Sequence, residues 1–143
     1  MITTFQKYLQ TFGQKIKILP NVAEATVLDV IDSNSTILEN LNRKQLREGI
    51  RSDGTEIKPY YRNILYKGRL RPVDLRNTGA FYQSITVEVT DDTVEIDAKD
   101  SKTEKLQTKY GKLILGLTID NKRLFLQRMT PQINERLHTW LQR

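Results

Sequence analysis

The sequence predicts an α+β domain in which a small antiparallel sheet of hairpins packs against a long N-terminal helix and a C-terminal helix. Three observations lead there. Apolar residues keep a helical period from Ala23 to Leu46. Two short runs, Ile85–Val89 and Thr93–Asp97, alternate apolar and polar residues strictly. From Leu126 to Leu141 the helical period returns. Helices that segregate to one face of an antiparallel sheet make this class of fold.

Size and composition set the bounds. At 143 residues the chain fits one domain, 1–143, with a single core. The 38% hydrophobic and 28% charged fractions are those of a globular protein. The absence of Cys removes disulfides, thiolate nucleophiles and the commonest structural zinc ligands, and it points to synthesis in a reducing cytoplasm. The first twenty residues lack a basic segment leading into an apolar run, so neither secretion nor membrane insertion is expected. A net charge of +6 biases the chain toward polyanions without specifying one.

Along the chain, Phe5, Leu9, Phe12 and Ile16 form a short amphipathic opening that Pro20 ends. Asn21 and Glu24 read as a capping box at the start of the long helix. Its stripe, Ala23, Val27, Val30, Ile31, Ile37, Leu38, Leu41 and Gln45 or Leu46, predicts one helix of about seven turns. Ser33-Asn34-Ser35 is weak helix material inside it. Gly49 ends the helix, and Ser52-Asp53-Gly54-Thr55 turns a short hairpin between Ile50 and Ile57.

Residues 58–76 show no sustained period and predict an extended basic loop or arm, longer than connections inside compact domains usually are. After a helical turn at Ala80–Tyr82, the two alternating runs form a hairpin through Asp91-Asp92. Ser101 and Glu104 suggest a capped short helix that ends at Gly111. A closing helix follows from Asp120, with Leu126, Met129, Ile133, Leu137, Trp140 and Leu141 on one stripe. Thr130-Pro131 either kinks it or caps a second helix.

Catalytic chemistry finds little material. His138 is the single histidine and has no Cys to pair with; its ordinary reading is a solvent-facing helical residue. Phosphate-binding glycine loops and zinc-protease helices are missing. The sharpest enzymatic alternative is a small metal-dependent nuclease using Asp74, Asp97 and Lys99, a proline-acid then acid-x-lysine pattern short enough to arise by chance. The basic arm is the stronger feature. Lys58, Arg62, Lys67, Arg69, Arg71 and Arg76, interleaved with Tyr60, Tyr61 and Tyr66, have the composition of a surface that touches phosphates, which supports a nucleic-acid-binding accessory protein as a further alternative. The plainer reading is a solvated loop whose tyrosines anchor it. A lysine cluster from Lys99 to Lys112 reads as a wet helix face.

Three blocks, read together, resemble a known family. Asp74-Leu75-Arg76-Asn77-Thr78-Gly79-Ala80-Phe81-Tyr82-Gln83-Ser84-Ile85 is similar to the leucine, threonine-glycine, serine-isoleucine segment of tailed-bacteriophage virion morphogenesis proteins, the head-to-tail connector and tail-completion group. Tyr110-Gly111-Lys112-Leu113-Ile114-Leu115-Gly116-Leu117-Thr118 resembles the tyrosine-glycine and glycine-leucine-threonine block of versions from Bacteroides-lineage phages. Gln45 to Gly54 resembles their helix-to-hairpin junction.

The resemblance spans about residues 40–120, in order, and the chain departs from the wider family in its long arm and first helix. It implies a structural virion protein, not an enzyme: a homo-oligomeric ring at the neck, as connector, tail-completion or tail-terminator subunit. Such a subunit is assembled in the bacterial cytoplasm, joins portal-side and tail proteins, and takes no cofactor or metal. Within that frame Lys58, Arg62, Lys67, Arg69, Arg71 and Arg76 are the candidate DNA-facing residues. Tyr60, Tyr61, Tyr66, Phe81, Tyr82, Leu38 and Leu41 are the candidate subunit-interface residues.

Overall fold

The computed structural model describes residues 20–90 and 93–143. Helix α1 (20–33) leads into α2 (Ser35–Arg47), and a one-turn α3 (Ile64–Lys67) lies within the arm. Then come α4 (Ala80–Ser84), β1 (Ile85–Val89), β2 (Val94–Ala98), α5 (Thr103–Tyr110), a 3-10 turn (Lys112–Ile114) and α6 (Ile119–Gln142). The fold is α+β, as the sequence predicts, with one two-stranded antiparallel sheet among the described residues. The opening stripe of Phe5, Leu9, Phe12 and Ile16 and the Asp91-Asp92 turn lie outside the described residues.

The long first helix is two helices. At Asn34 the backbone leaves the helical region (φ −117°, ψ 23°). The Asn34 carboxamide donates to the Val30 carbonyl at 2.8 Å and to Gln132 Oε1 of α6 at 3.0 Å. A side chain that competes for its own helix's carbonyls favours a break, and the contact with α6 fixes it here. The capping box at Asn21 is not realised, because residue 20 is already helical. The box at Ser101 also fails: α5 starts at Thr103, and the Lys102 amide is met by Asp100 Oδ2 at 3.3 Å instead.

Helix α2 ends in a Schellman motif. The Ile50 amide donates to the Gln45 carbonyl (3.0 Å) and the Gly49 amide to the Leu46 carbonyl (2.9 Å), with Gly49 at φ +71°. A Cβ at Gly49 would stand 2.5 Å from the Pro72 Cβ, so this position needs glycine for its backbone and for its neighbour. The hairpin expected at 50–57 is reduced to a single antiparallel bridge, Ile50 to Glu56.

Two apolar clusters form the interior. Leu46, Ile57, Val73, Phe81, Tyr82, Ile85, Tyr110 and Ile114 build the first; Val30, Leu38, Leu41, Leu117, Phe125 and Met129 build the second. The hairpin pairs Ile85 with Ala98, Val87 with Ile96 and Val89 with Val94, which puts its apolar residues on one face, and Ile96 packs against both clusters. Helix α6 runs unbroken through Pro131, and Thr130 Oγ1 bonds the Leu126 carbonyl one turn back at 2.6 Å. Its inward stripe passes through Phe125 and Met129, while Leu126, which the sequence pattern placed on it, faces out.

Between the clusters, α2 holds the segment 114–118 by side chains. The Asn42 carboxamide donates to the Ile114 carbonyl (3.2 Å) and accepts from the Gly116 amide (2.9 Å). Three residues on, the Gln45 carboxamide donates to the Gly116 carbonyl (3.0 Å) and accepts from the Thr118 amide (3.0 Å). Gln45 Oε1 also accepts from Asn121 Nδ2 at 2.8 Å, at the start of α6. Asn42 is 0% and Gln45 2% exposed, so these are interior bonds. Between them, Arg43 donates to the Tyr82 (2.8 Å) and Ile85 (3.2 Å) carbonyls, closing the α4–β1 junction.

Each buried group orphaned by removing such a partner costs about 1–3 kcal/mol. Gln45→Ala is therefore expected to lower stability by about 3 kcal/mol in urea titrations, and Gln45→Leu is expected not to restore it. Gly49→Ala is expected to cost at least about 1 kcal/mol by the same measurement. A Gln45→Leu protein as stable as the parent would show that the carboxamide bonds are dispensable.

Candidate functional site

The arm, 58–76, has a built base and an apolar tip. At the base Ile57, Val73 and Leu75 are interior, and Tyr60 and Tyr61 pack half-buried against the first cluster. The Tyr61 amide donates to the Leu70 carbonyl at 2.9 Å and closes the neck of the loop. Above that neck Asn63 caps α3 by accepting from the Leu65 amide (2.9 Å), and Gly68 ends it in the left-handed region (φ +72°).

Asp74 organises the base. One carboxylate oxygen accepts from the Tyr61 hydroxyl (2.8 Å) and the Arg76 amide (3.1 Å), with the Lys67 ammonium at 3.4 Å; the other accepts from Arg69 at 2.9 Å. The Tyr82 hydroxyl donates to the Asp74 carbonyl. Burial raises the Asp74 pKa, but the Arg76 amide, the Tyr61 hydroxyl and Lys67 outweigh it and hold the carboxyl below its usual value. Burial, together with the neighbouring Asp74 charge, pushes the Tyr61 phenol up to about 12, so it stays a donor. The next residue, Leu75, has φ +56°, a conformation that costs a non-glycine residue about 1–3 kcal/mol and persists where its surroundings determine it. Here its buried side chain and the bonds that Asp74 accepts from the Arg76 amide and the Tyr82 hydroxyl do so.

The candidate DNA-facing residues divide accordingly. Lys67 and Arg69 share the Asp74 carboxylate, which offsets one of their two charges. Lys58 and Arg71 lie near the Tyr60 ring, 5.6 and 5.7 Å from its centroid, and Arg71 is also 3.9 Å from Glu56. Arg62 and Arg76 are exposed. The candidate interface residues divide too. Phe81, Tyr82, Leu38 and Leu41 are interior residues of the two clusters, which corrects their placement at a subunit interface: the apolar face of α2 is covered by α6, β1 and the 114–118 segment. Tyr66, 61% exposed, keeps that candidacy and meets Tyr61 edge to face at 5.6 Å.

The structure exposes a patch that the sequence pattern hid. Leu65 is 86% and Ile64 56% exposed at the tip, and Leu70 follows below them. A second apolar surface lies apart from the arm, in a cleft of about 390 Å³ between β2 and α6 whose walls include Ile31, Val94, Ile96, Phe125 and Leu126. Helical periodicity over four residues carries no signal, so a one-turn helix with an outward Ile-Leu pair reads as loop.

The nuclease residues are not brought into one constellation. Asp97 and Lys99 come within 4.0 Å on the surface, where Lys99 also pairs with Glu88 at 2.8 Å and Asp97 Oδ1 accepts from the Ala98 amide, while Asp74 is bound to its own loop. Among the described residues no group of three or more His, Asp or Glu side chains could hold a metal ion. His138 lies exposed on α6, 3.0 Å from the Gln142 amide nitrogen.

No family model matches the chain, and no curated protein or solved structure matches it either.

Because the folded pKa of Asp74 is depressed, its contribution is present above the unfolded value near 3.9 and is lost as pH falls through the folded one. Asp74→Asn is expected to cost about 2–3 kcal/mol at neutral pH, the scale of hydrogen bonds to a charged group. The gap between it and the parent is expected to narrow below about pH 4 in denaturation curves taken across that range. A gap independent of pH would mean that the ionised carboxylate does not pin the arm.

Proposed function

We propose that the chain is a structural virion subunit of a tailed phage, forming a homo-oligomeric ring at the head-to-tail junction as a connector, tail-completion or tail-terminator protein. In this reading it works with portal-side and tail proteins and carries no catalytic centre of its own.

The observation that carries the reading is the pair of unlike apolar surfaces on one subunit. An arm tip holds Ile64 and Leu65 outward, with Tyr66 beside them 61% exposed, and the β2–α6 cleft with Val94 and Leu126 is open. Burying a side chain the size of Leu is worth about 1.5–3 kcal/mol, so each tip residue covered by another copy favours association. A tip that docks on a different surface of the next copy makes a heterologous contact, and such contacts close into rings when the rotation permits.

The resemblance adds to this. Its three blocks are structural in this fold: Gln45–Gly54 carries the Schellman turn, Thr78–Ile85 leads into β1, and Tyr110–Thr118 contains the segment held by Asn42 and Gln45.

Purified protein is expected to show cyclic particles in negative stain and a multiple of the 16.7 kDa chain mass by light scattering. Leu65→Asp and Leu126→Asp are each expected to reduce it to monomer, while exposed substitutions of this kind leave stability within about 0.5 kcal/mol. A chain that stays monomeric at its highest soluble concentration, with or without these changes, would sink the ring.

A further inference from the structure

We infer that the cleft between the arm and α5 binds an unpaired nucleic-acid strand, with phosphates held by Arg62, Arg76 and Lys109 and a base laid against Tyr66. The site does not depend on ring formation and would be present in a single subunit.

The cleft has a volume of about 540 Å³ and draws its walls from two separate stretches of chain. The arm contributes Arg62, Tyr61, Tyr66 and Arg76; α5 contributes Lys109 and Tyr110. No acidic residue lines it. Lys67, which also borders it, shares the Asp74 carboxylate with Arg69, while among the described residues Arg62, Arg76 and Lys109 have no carboxylate partner. Three unpaired cations around one concavity repel each other and create a positive potential that an anion relieves.

The tyrosines narrow the choice of anion. Stacking on aromatic rings beside a cationic groove is the way proteins hold single strands, because every unpaired base offers a flat face. Tyr66 provides such a ring, 61% exposed, with the Tyr61 ring edge-on at 5.6 Å and the Lys67 ammonium 5.7 Å from its centroid, while Tyr110 is buried as part of the wall. In a duplex the base faces are stacked on one another and cannot reach the ring. An acidic peptide would satisfy the cations but gain nothing specific from the aromatic wall. The lysines of α5 lie outside the basic arm in sequence, and only the fold places Lys109 opposite Arg62 and Arg76 across one cleft.

The test is fluorescence anisotropy on the full chain, with a short labelled oligothymidine, the same length of duplex and a glutamate-rich peptide of equal charge. The oligothymidine is expected to bind best, with a log–log salt slope of about −2, from roughly 0.7 per phosphate neutralised. Arg62→Ala/Arg76→Ala/Lys109→Ala is expected to weaken it at least tenfold and flatten the slope. Lys122→Ala/Arg123→Ala/Arg128→Ala, which removes the same charge from α6, is expected to change it less than threefold. Tyr66→Ala is expected to lose at least about fivefold and Tyr66→Phe to keep the parent affinity. The site is overturned if no oligonucleotide binds, if the α6 triple loses as much as the cleft triple, if Tyr66→Ala binds normally, or if the duplex or the acidic peptide binds as tightly as the single strand.

Discussion

Two buried carboxamides, Asn42 and Gln45, set the architecture. An extended segment cannot enter the interior of a small domain with its amides and carbonyls unpaired, and the hairpin β1–β2 does not pair with 114–118. The α2 side chains take the place of a neighbouring strand: each carboxamide bonds one carbonyl and the amide two residues on, covering Ile114, Gly116 and Thr118 in succession. With the backbone satisfied, Ile114 can fill the first cluster and Leu117 the second. The bond from Gln45 to Asn121 then fixes where α6 begins.

The same helix carries the other junctions. Arg43 reaches the α4–β1 corner, Leu46 is fully buried in the first cluster, and the Schellman turn at Gly49 sets the chain against Pro72 at the arm's return. A single helix of thirteen residues therefore positions the hairpin, the arm base and the closing helix. The arm tip and the α5 cleft are attached to this frame and make few demands on it. The tip at Ile64 and Leu65 touches solvent, and the cations of the α5 cleft are surface residues, so changes there leave the interior undisturbed.

Much of the frame was legible in the residues. Alternation over Ile85–Val89 and the run after Thr93 gave the hairpin with its apolar face, and Gly49 marked a helix end because little else accepts that φ. What escaped was whatever depended on partners distant in sequence. Asn42 and Gln45 fall on the inward phase of α2, and a polar residue at an apolar phase was the available clue; its partners lie 71 to 76 residues away. Asn34 offered a weak helix former, but the break needed Gln132 of α6 to hold it. Phe81, Tyr82, Leu38 and Leu41 read as interface residues because the volume that they fill is supplied by elements whose arrangement local patterns do not encode. In the arm, six cations read as one surface, and only the fold shows Asp74 claiming two of them.

The bond from the Tyr61 amide to the Leu70 carbonyl has an architectural consequence. It makes residues 62–69 a closed excursion whose ends are already fixed, so lengthening it adds only loop-closure entropy, about 0.6 kcal/mol for each doubling. The tip at Ile64 and Leu65, short of the Lys67 and Arg69 contacts to Asp74, can lengthen while the body stays unchanged. A foreign epitope or spectroscopic probe placed at that tip would therefore be carried without burdening the fold.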